Sequence, residues 1–264
     1  MPLHTFSHRF QTSNGLQIYV PTSEGRELGA RIAERVLRCW TPPAYFFHFR
    51  PGGHVAAARL HTMNSVFARL DIQTFFDSIS RSKISRALRF LRIPREEAFE
   101  LASLSTVSKE GGKRSLPFGF VQSPALSSLV LDRSALGRCL RDISLGKVAL
   151  SVYMDDILVS GRDAAVVEAA VGELGSAAKQ SGFILNAGKS QVGAPEITAF
   201  NLRLGHKMLE VLPERMTLFA STPRTTDGLK ERAMVGYVAT VNETQSSFLK
   251  GVLGLGEEQA GQPL

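Results

Sequence analysis

The chain of 264 residues is long enough to bury a sizeable core, as one large domain or two closely joined ones. Hydrophobic residues make up 44% and charged residues 21%, which is typical of a folded protein and excludes wholesale disorder. The net charge is +7, and the arginines are spread from Arg9 to Arg232, which favours a polyanionic partner held by several segments.

Nothing in the sequence predicts export or a membrane partner. Cys39 and Cys139 are too few for a disulfide framework and have no metal-ligand spacing. The segment Met1–Phe10 has no apolar run, and no stretch approaches the ~20 apolar residues that a membrane-spanning helix needs. We therefore expect a cytoplasmic protein.

In chain order, the first 65 residues are predicted to form short helices, one of them over 29–39, and irregular connections. From residue 66 the alternation of apolar residues predicts a strand that turns Leu70 and Ile72 to the core and Asp71 away from it. Further helices are predicted over 80–93, 94–105, 123–140, 163–182 and 229–253, and strand hairpins over 147–161 and 197–212. Hairpins alternating with helices favour an α+β fold, an antiparallel sheet with helices on one face.

The turn of the first hairpin, Tyr153-Met154-Asp155-Asp156, carries two adjacent acids where Asn-Gly or Asp-Gly is usual. Two carboxylates ~5 Å apart repel by about 3 kcal/mol at an effective dielectric constant of 20, so a cation is expected there. If the two strands are neighbours, Asp71 and Asp155 emerge on one face of the sheet. Carboxylates without His or Cys favour two Mg²⁺ or Mn²⁺ ions, the arrangement used for phosphoryl displacement. On its own, an Asp-Asp pair is more often a simple polar turn, with Asp71 a solvated strand residue.

The flanking sequence decides between these interpretations, because the motifs around the acids resemble those of reverse transcriptases and occur in the same order. Tyr153–Asp156 resembles the YxDD motif of that family. The other matching segments are LDIQTFFDSI (70–79), LPFG with QSPALS (116–127), FILNAGK (183–189) and ITAFN (197–201), the last similar to the primer-grip region. The form FGFVQSPALS and the short finger region are most similar to the bacterial defence-associated (abortive-infection or unknown-group) enzymes.

The resemblance implies a role for each matching residue. Asp71 and Asp155 would bridge two Mg²⁺ or Mn²⁺ ions, with the Ile72 carbonyl as a further ligand and Asp156 in support. Lys189 would protonate or neutralise the leaving pyrophosphate; a solvated loop lysine is the alternative. Further residues are assigned to nucleotide binding: Phe76 under the sugar, Gly119 in close backbone approach, Gln122 beside it, and Arg50 and Arg59 on the triphosphate.

Phe118 stands where most relatives have Gln, which leaves untemplated synthesis open. Gly119 would otherwise be an ordinary turn glycine, and Phe76 a core residue. The six histidines, including His54 and His61, show no ligand spacing and are predicted to be surface or packing residues.

The predicted domains are a fingers region over 1–65, a palm over 66–212 with inserted fingers segments at about 80–115, and a short helical thumb and tail over 213–264. The resemblance thus implies a right-hand polymerase palm with reduced fingers. With so short a thumb, a noncoding RNA, a partner protein or self-assembly would help to hold template and primer.

The expected function is polymerisation of dNTPs on an RNA template, in antiphage defence. Three alternatives stay open: template-independent synthesis, RNA synthesis, which Phe76 disfavours, and a palm protein that binds RNA without polymerising. The three repelling acids argue against the last, because a pure binder does not need them.

Overall fold

A computed structural model describes residues 5–13 and 15–255, with the backbone alone at residue 110. The chain begins with a hairpin of β1 (Phe6–Gln11) and β2 (Gln17–Pro21). Two helices follow, α1 (Ser23–Cys39) and α2 (Gly53–His61). They lead into β3 (Val66–Asp71), the strand that carries the first acid, and then into a short helix, α3 (Phe75–Ser78).

The next segment is mostly helical. Its elements are α4 (Arg81–Phe90), α5 (Arg95–Leu104), the two-residue strands β4 (Val107–Ser108) and β5 (Arg114–Ser115), α6 (Ser123–Asp132) and α7 (Ala135–Ser144). The hairpin of β6 (Ala149–Tyr153) and β7 (Asp156–Gly161) then leads to α8 (Ala164–Gln180). The C-terminal part contains β8 (Gln191–Ala194), β9 (Glu196–Ala199), β10 (Leu202–Gly205), β11 (Met208–Val211), α9 (Pro213–Ser221), α10 (Leu229–Val241) and α11 (Glu243–Val252).

The central sheet contains four antiparallel strands in the order β6-β7-β3-β8. β3 is therefore the direct neighbour of the hairpin strand β7, and their register places Asp71 opposite Asp156. A second sheet of β9, β10 and β11 packs beside it and is covered by the C-terminal helices. The fold is the predicted palm, with antiparallel strands and a helical layer.

The main core lies between the central sheet and the helices α4, α6 and α8. It contains Leu70 and Ile72 from β3 and the residue after it, together with buried residues of those helices such as Leu88, Leu129 and Leu174. The opposite parity of β3 carries Phe67, Arg69 and Asp71, as the period of two along a strand requires. Phe67 belongs to a second core, formed with α2, β9–β11 and the C-terminal helices. Both faces of the sheet are therefore covered, although only one was predicted to be.

Three predicted elements are divided in the structure. The predicted helix 123–140 breaks after Asp132, because Ser134 caps α7 by accepting a hydrogen bond from the Gly137 amide at 3.2 Å. The predicted helix 229–253 breaks at Asn242, whose side chain accepts from the Gln245 amide at 3.0 Å and caps α11. The predicted strand 197–204 is two strands, since positive φ angles at residues 200 and 201 turn the chain between β9 and β10.

The first 65 residues are more regular than predicted. They contain the β1–β2 hairpin and a 17-residue helix, α1, whose first turn is capped by the Thr22 side chain bonded to the Gly25 amide at 3.0 Å. The strand β8 and the helix α9 were also not predicted.

The predicted domain boundaries at 65 and 212 fall between elements, before β3 and before α9. Residues 1–4, 14 and 256–264 of the predicted fingers and tail lie outside the described residues. Among the helices that the structure describes, none combines the length and the apolar character needed to cross a bilayer.

Candidate active site

Three acids meet at one end of the central sheet. Asp71 is the last residue of β3 and is directly opposite Asp156, the first residue of β7. Asp155 occupies the two-residue turn between β6 and β7, and its carbonyl accepts a hydrogen bond from the Ile72 amide at 2.9 Å. The structure thus brings together Asp71, Ile72, Asp155 and Asp156, as the sequence predicts.

The turn is held in an unfavourable conformation. Met154 has φ of 58° in the left-handed region, where a non-glycine residue is strained. Its amide donates to Nδ1 of His48 at 3.2 Å, and Nε2 of His48 lies 2.7 Å from the Ser128 hydroxyl. Since Nδ1 accepts, Nε2 carries the proton and donates to Ser128. Burial lowers the pKa of His48 to about 4, so the ring is neutral and keeps this tautomer.

Two cations partly neutralise the acids. Arg69 lies two residues before Asp71 on the same face of β3, and its Nε donates to Asp156 Oδ1 at 2.7 Å. The Lys189 Nζ lies 3.7 Å from Asp71 Oδ2, with its side chain 63% exposed. Asp155 has neither partner. The arrangement therefore holds two compensated acids and one that is not.

Burial and neighbouring charge both shift the pKa values of these carboxyl groups. Burial raises the pKa of Asp155 to about 6, and the negative charges of Asp156 and Asp71 add to the shift. Burial also raises the pKa of Asp156, against the opposing effect of the hydrogen bond and charge of Arg69. A cation at this end of the sheet would relieve both shifts.

The donor chemistry fits a hard divalent cation, because carboxylate oxygens are the side-chain atoms available. In the part of the chain that the structure describes, no three His, Cys, Asp or Glu side chains already form a metal-binding group. Asp156 Oδ1 is occupied by Arg69, whereas Asp71 and Asp155 are the better placed to hold an ion. The predicted magnesium or manganese site thus has the right donors, and its geometry stays a prediction.

Phe76 lies in α3, five residues after Asp71, and is 6% exposed. Its ring packs edge-to-face on Phe118 at 4.6 Å and beside Phe75 at 5.7 Å. Thr74, which precedes α3, has φ of 47°, so both chain segments beside the acids contain a left-handed residue. Phe118 therefore supports the ring that was predicted to lie under the nucleotide sugar.

Gly119 and Gln122 contact the fingers elements of the same chain. Gly119 has φ of +102°, and a Cβ there would lie 2.1 Å from the Tyr19 carbonyl oxygen, so glycine is required by the approach to β2. The Gln122 side chain is buried against Gly29 and donates to the Ser105 hydroxyl at 3.4 Å. These contacts explain both residues without a nucleotide, and their roles in binding one stay predictions.

Arg50 and Arg59 are bonded to backbone carbonyl groups. Arg50 donates to Ala44 at 2.7 Å and lies over the Phe47 ring. Arg59 donates to the Thr240 carbonyl at 2.5 Å, which anchors the C-terminal end of α10 to α2. These contacts give no support to a triphosphate clasp.

An aromatic groove of about 540 Å³ opens beside the turn, between the hairpin and the C-terminal helices α9 and α10. Its wall brings together Tyr153 and Phe200, whose ring centroids are 5.4 Å apart. His54 lies 5.8 Å from both rings and bonds the Tyr237 hydroxyl at 3.2 Å. The segment that resembles the primer-grip region therefore lines the same groove as the YxDD turn.

His61 connects β6 and β7, the two strands of the hairpin, through hydrogen bonds to one serine of each. It is fully buried, and its two ring nitrogens lie 2.7 Å from the Ser160 hydroxyl and 2.8 Å from the Ser151 hydroxyl. Burial lowers its pKa to about 3. The packing prediction was right for His61. No sequence signal pointed to His48 as the support of the turn or to His61 as the support of the hairpin strands. Arg69, in contrast, could have been found as the cation on the Asp71 face of β3.

Replacing His61 with Leu is expected to destabilise the protein by about 2–4 kcal/mol, because two buried serine hydroxyls lose their shared partner. The midpoint and slope of urea denaturation would measure the change. His8→Leu is the matched control, since His8 is exposed on β1 and its replacement should cost less than about 0.5 kcal/mol. Equal midpoints for the two variants would contradict the support role.

Comparisons with known proteins agree with this geometry. The family model described as reverse transcriptase (RNA-dependent DNA polymerase) matches residues 13–226. A search of the curated proteins returns no significant match.

Among solved structures, telomerase from Candida albicans, in complex with a fragment of telomeric RNA, has a TM-score of 0.60 at 14% identity, over 91% of this chain and 53% of its own. The foamy viral protease-reverse transcriptase in complex with ds DNA has a TM-score of 0.54 at 17% identity, over 94% of this chain and 38% of its own. The RNA-dependent RNA polymerase of BmCPV has a TM-score of 0.57 at 12% identity, over 96% of this chain and 27% of its own.

At these identities the structural similarities show the fold alone, and this chain spans about half or less of each of these proteins. The family model, by contrast, covers most of the chain, including the YxDD turn and the strand of Asp71. The chain belongs to the reverse transcriptase (RNA-dependent DNA polymerase) family.

Proposed function

We propose that this protein adds deoxynucleotides to a primer end by two-metal catalysis at Asp71, Asp155 and Asp156. The observation that carries the proposal is the cross-strand placement of Asp71 opposite Asp156, with Asp155 in the turn beside them. The three acids outnumber the two cations Arg69 and Lys189. Burial, together with the negative charges of Asp156 and Asp71, raises the pKa of Asp155.

Bound Mg²⁺ or Mn²⁺ would supply the electrostatic stabilisation of the attacking and leaving oxygens. Asp71 and Asp155 would hold the ions, with the carbonyl of Ile72, the residue after β3, as a further ligand. Asp156 acts in support, because Arg69 fixes its carboxylate against β3. His48 keeps the turn in its left-handed conformation and so fixes the position of Asp155.

Lys189 is the candidate group for the leaving pyrophosphate. Its exposed Nζ lies beside Asp71 and is free to move toward a bound triphosphate. It could neutralise the leaving group or give it a proton. Phe76 would limit the space under the sugar and so favour deoxynucleotides.

The primer end would lie in the aromatic groove lined by Tyr153, Phe200 and Tyr237. Half-buried aromatic rings and the cations Arg215 and Lys230 line this groove, a combination suited to a nucleic-acid strand. The groove connects the YxDD turn with the thumb helix α10. We propose that a noncoding RNA, or a second protein chain of this or another kind, completes the grip of a thumb that has only three helices in the described residues.

Two other activities of the same site remain candidates. Phe118 in place of Gln favours reduced dependence on a template, because an aromatic ring cannot form the hydrogen bonds of an amide. The fold is shared with RNA polymerases, so RNA synthesis is opposed by Phe76 and not by the architecture. A palm that only binds RNA is disfavoured by the cost of keeping three close acids.

Primer extension tests the proposal. The purified protein would receive a labelled DNA primer annealed to an RNA template, with dNTPs and either Mg²⁺ or Mn²⁺, and parallel reactions would contain rNTPs or no template. We expect extension with dNTPs that stops when the metal is chelated. Extension without a template would identify untemplated synthesis, and an absence of incorporation under every condition would contradict the polymerase assignment.

We also propose a cytoplasmic role in antiphage defence, supported by the resemblance of residues 116–127 and 197–201 to defence-associated reverse transcriptases. Phage plating on bacteria that express the protein would test it. Plaque numbers equal to those on cells without the protein would contradict the role.

A further inference from the structure

The segment from Arg81 to Arg95 is strongly basic, with six of the 31 Lys and Arg residues of the chain. Its fifteen residues contain six Lys and Arg and no Asp or Glu, against a net charge of +7 for the whole protein. In α4 the apolar side, with Ile84 and Leu88, is buried in the core. The cations therefore lie on the outer side of α4 and in its connection to α5.

These cations have no ion-pair partners within residues 5–13 and 15–255. In the described part of the chain, none of the six forms an ion pair with a carboxylate. Arg81 lies over the Phe99 ring at 4.7 Å, and Lys83 lies over the Phe183 ring at 4.6 Å. The positive charge of Arg86 adds to burial in lowering the pKa of Lys83. Six positive charges thus lie along one segment without ion-pair partners among the described residues, and Glu96 is an acid beside them in the same surface.

The surface between and beside the helices is concave. One cavity of about 610 Å³ between α4 and α5 is lined by Arg81, Arg86, Arg89, Arg95 and Phe99 among others. A second, of about 310 Å³, shares Arg86 and adds Phe90, Arg133 and Arg138. Arg86 lines both cavities, and their combined lining is here named the α4–α5 cationic face. Phe90 is 61% and Phe99 51% exposed along it.

This face is separate from the three acids and from the aromatic groove beside them. α4 packs through Ile84 and Leu88 into the core that contains Leu70 and Ile72, which is one side of the central sheet. Asp71 and Asp156 lie on the other parity of their strands, which faces away from that core. A ligand on the outer side of α4 would therefore have the helical layer and the sheet between it and the acids.

We propose that the α4–α5 cationic face binds a single-stranded nucleic acid at a site separate from the three acids and the aromatic groove. Clustered arginines match a chain of phosphates, since guanidinium groups bond phosphate oxygens through two parallel hydrogen bonds. Exposed phenylalanine rings within the path offer stacking surfaces for unpaired bases, which a duplex does not present. An acidic protein or a lipid bilayer would match the charge, but neither requires cavities that combine arginines with exposed aromatic rings.

This proposal rests on the proposed function and names the surface that would bind its partner nucleic acid. The binding itself requires neither metal nor catalysis. Fluorescence anisotropy with labelled 20-nucleotide oligo(U) and oligo(dT), without metal or dNTPs, would measure it over a series of salt concentrations. We expect Arg86→Gln/Arg89→Gln to weaken binding and to reduce the slope of log K against log salt by about 1.4, since each lost phosphate contact removes about 0.7. Preference for one oligonucleotide would identify the partner as RNA or DNA.

Arg31→Gln/Arg38→Gln is the matched control, because it removes the same charge from exposed positions of α1. It should leave the slope closer to that of the wild type. Phe90→Ala/Phe99→Ala should weaken single-strand binding by at least about fivefold while duplex binding changes less. Melting curves should be unchanged in these variants, because all four side chains are exposed.

Two results would overturn the proposal. One is an unchanged affinity and salt slope in Arg86→Gln/Arg89→Gln. The other is a loss of binding to phosphatidylglycerol vesicles in that variant with oligonucleotide binding intact, which would identify a membrane surface. Because these measurements contain neither metal nor dNTPs, failure of polymerisation and failure of this face are told apart.

Discussion

Asp155→Asn is expected to reduce nucleotide incorporation by at least about a thousandfold. The substitution keeps the shape of the side chain and removes the negative charge that would hold a divalent ion, and such an ion contributes several kcal/mol to transition-state stabilisation. Asp155 is the one acid of the three without a cationic side chain bonded to it, so its charge is the most available to a metal.

The same substitution is expected to stabilise the metal-free protein at neutral pH. The pKa of Asp155 is raised from 3.8 to about 6, so the ionised carboxylate is less favourable in the folded than in the unfolded state. Its destabilising effect is absent below pH 4, where both states are protonated, and grows as the pH rises to about 6. Converted at 1.36 kcal/mol per pKa unit and reduced for partial exposure, the gain at pH 7 is about 1–3 kcal/mol.

Urea denaturation of both proteins with chelator, from pH 4 to pH 8, would measure this difference alongside primer extension. Comparing the variant with the wild type removes the titration of His48 and His61, which is common to both. Asp163→Asn is the matched control, because Asp163 follows the same hairpin and Asn caps a helix as well as Asp does. A folded Asp155→Asn protein with full activity would contradict the metal assignment.

The parts of the site that could be predicted are those governed by local periodicity. Successive side chains of a strand point to opposite faces. The sequence therefore predicts directly that Asp71 lies on the opposite face from Leu70 and Ile72. The hairpin was visible because two apolar strands flank a short polar turn. The register could not be read in this way: it is Asp156 that lies opposite Asp71, while Asp155 occupies the turn.

The supports of the site depend on contacts between residues far apart in the chain. His48 bonds Met154 across 106 positions, and His61 bonds Ser160 across 99. No periodicity links such pairs, so a neutral histidine that holds a turn looks like any other histidine. The divided helices have a different cause, since caps such as Ser134 and Asn242 compete with apolar patterns that continue through them.

Phe76→Val is expected to admit ribonucleotides, with a change in dNTP-over-rNTP preference of about ten- to a hundredfold. A 2′-hydroxyl placed over the wild-type ring would overlap it, and overpacking of this kind costs about 1–3 kcal/mol. The ring is fixed by Phe118 at 4.6 Å, so it cannot easily swing aside. Competing incorporation of dNTPs and rNTPs by the wild type and the variant would measure the preference.

Phe75→Val separates sugar selection from core packing. Phe75 is the preceding residue of the same helix and is 3% exposed, close to the 6% of Phe76, but its ring also packs against Phe183 at 6.0 Å. Both variants should lose about 2–4 kcal/mol of stability, because each shortens a buried aromatic side chain. If Phe76 contacts the sugar, only its variant changes the preference for deoxynucleotides. If the two variants lose activity together with the preference intact, or if the wild type already uses both nucleotides, Phe76 is a core residue and RNA synthesis becomes the better-supported activity.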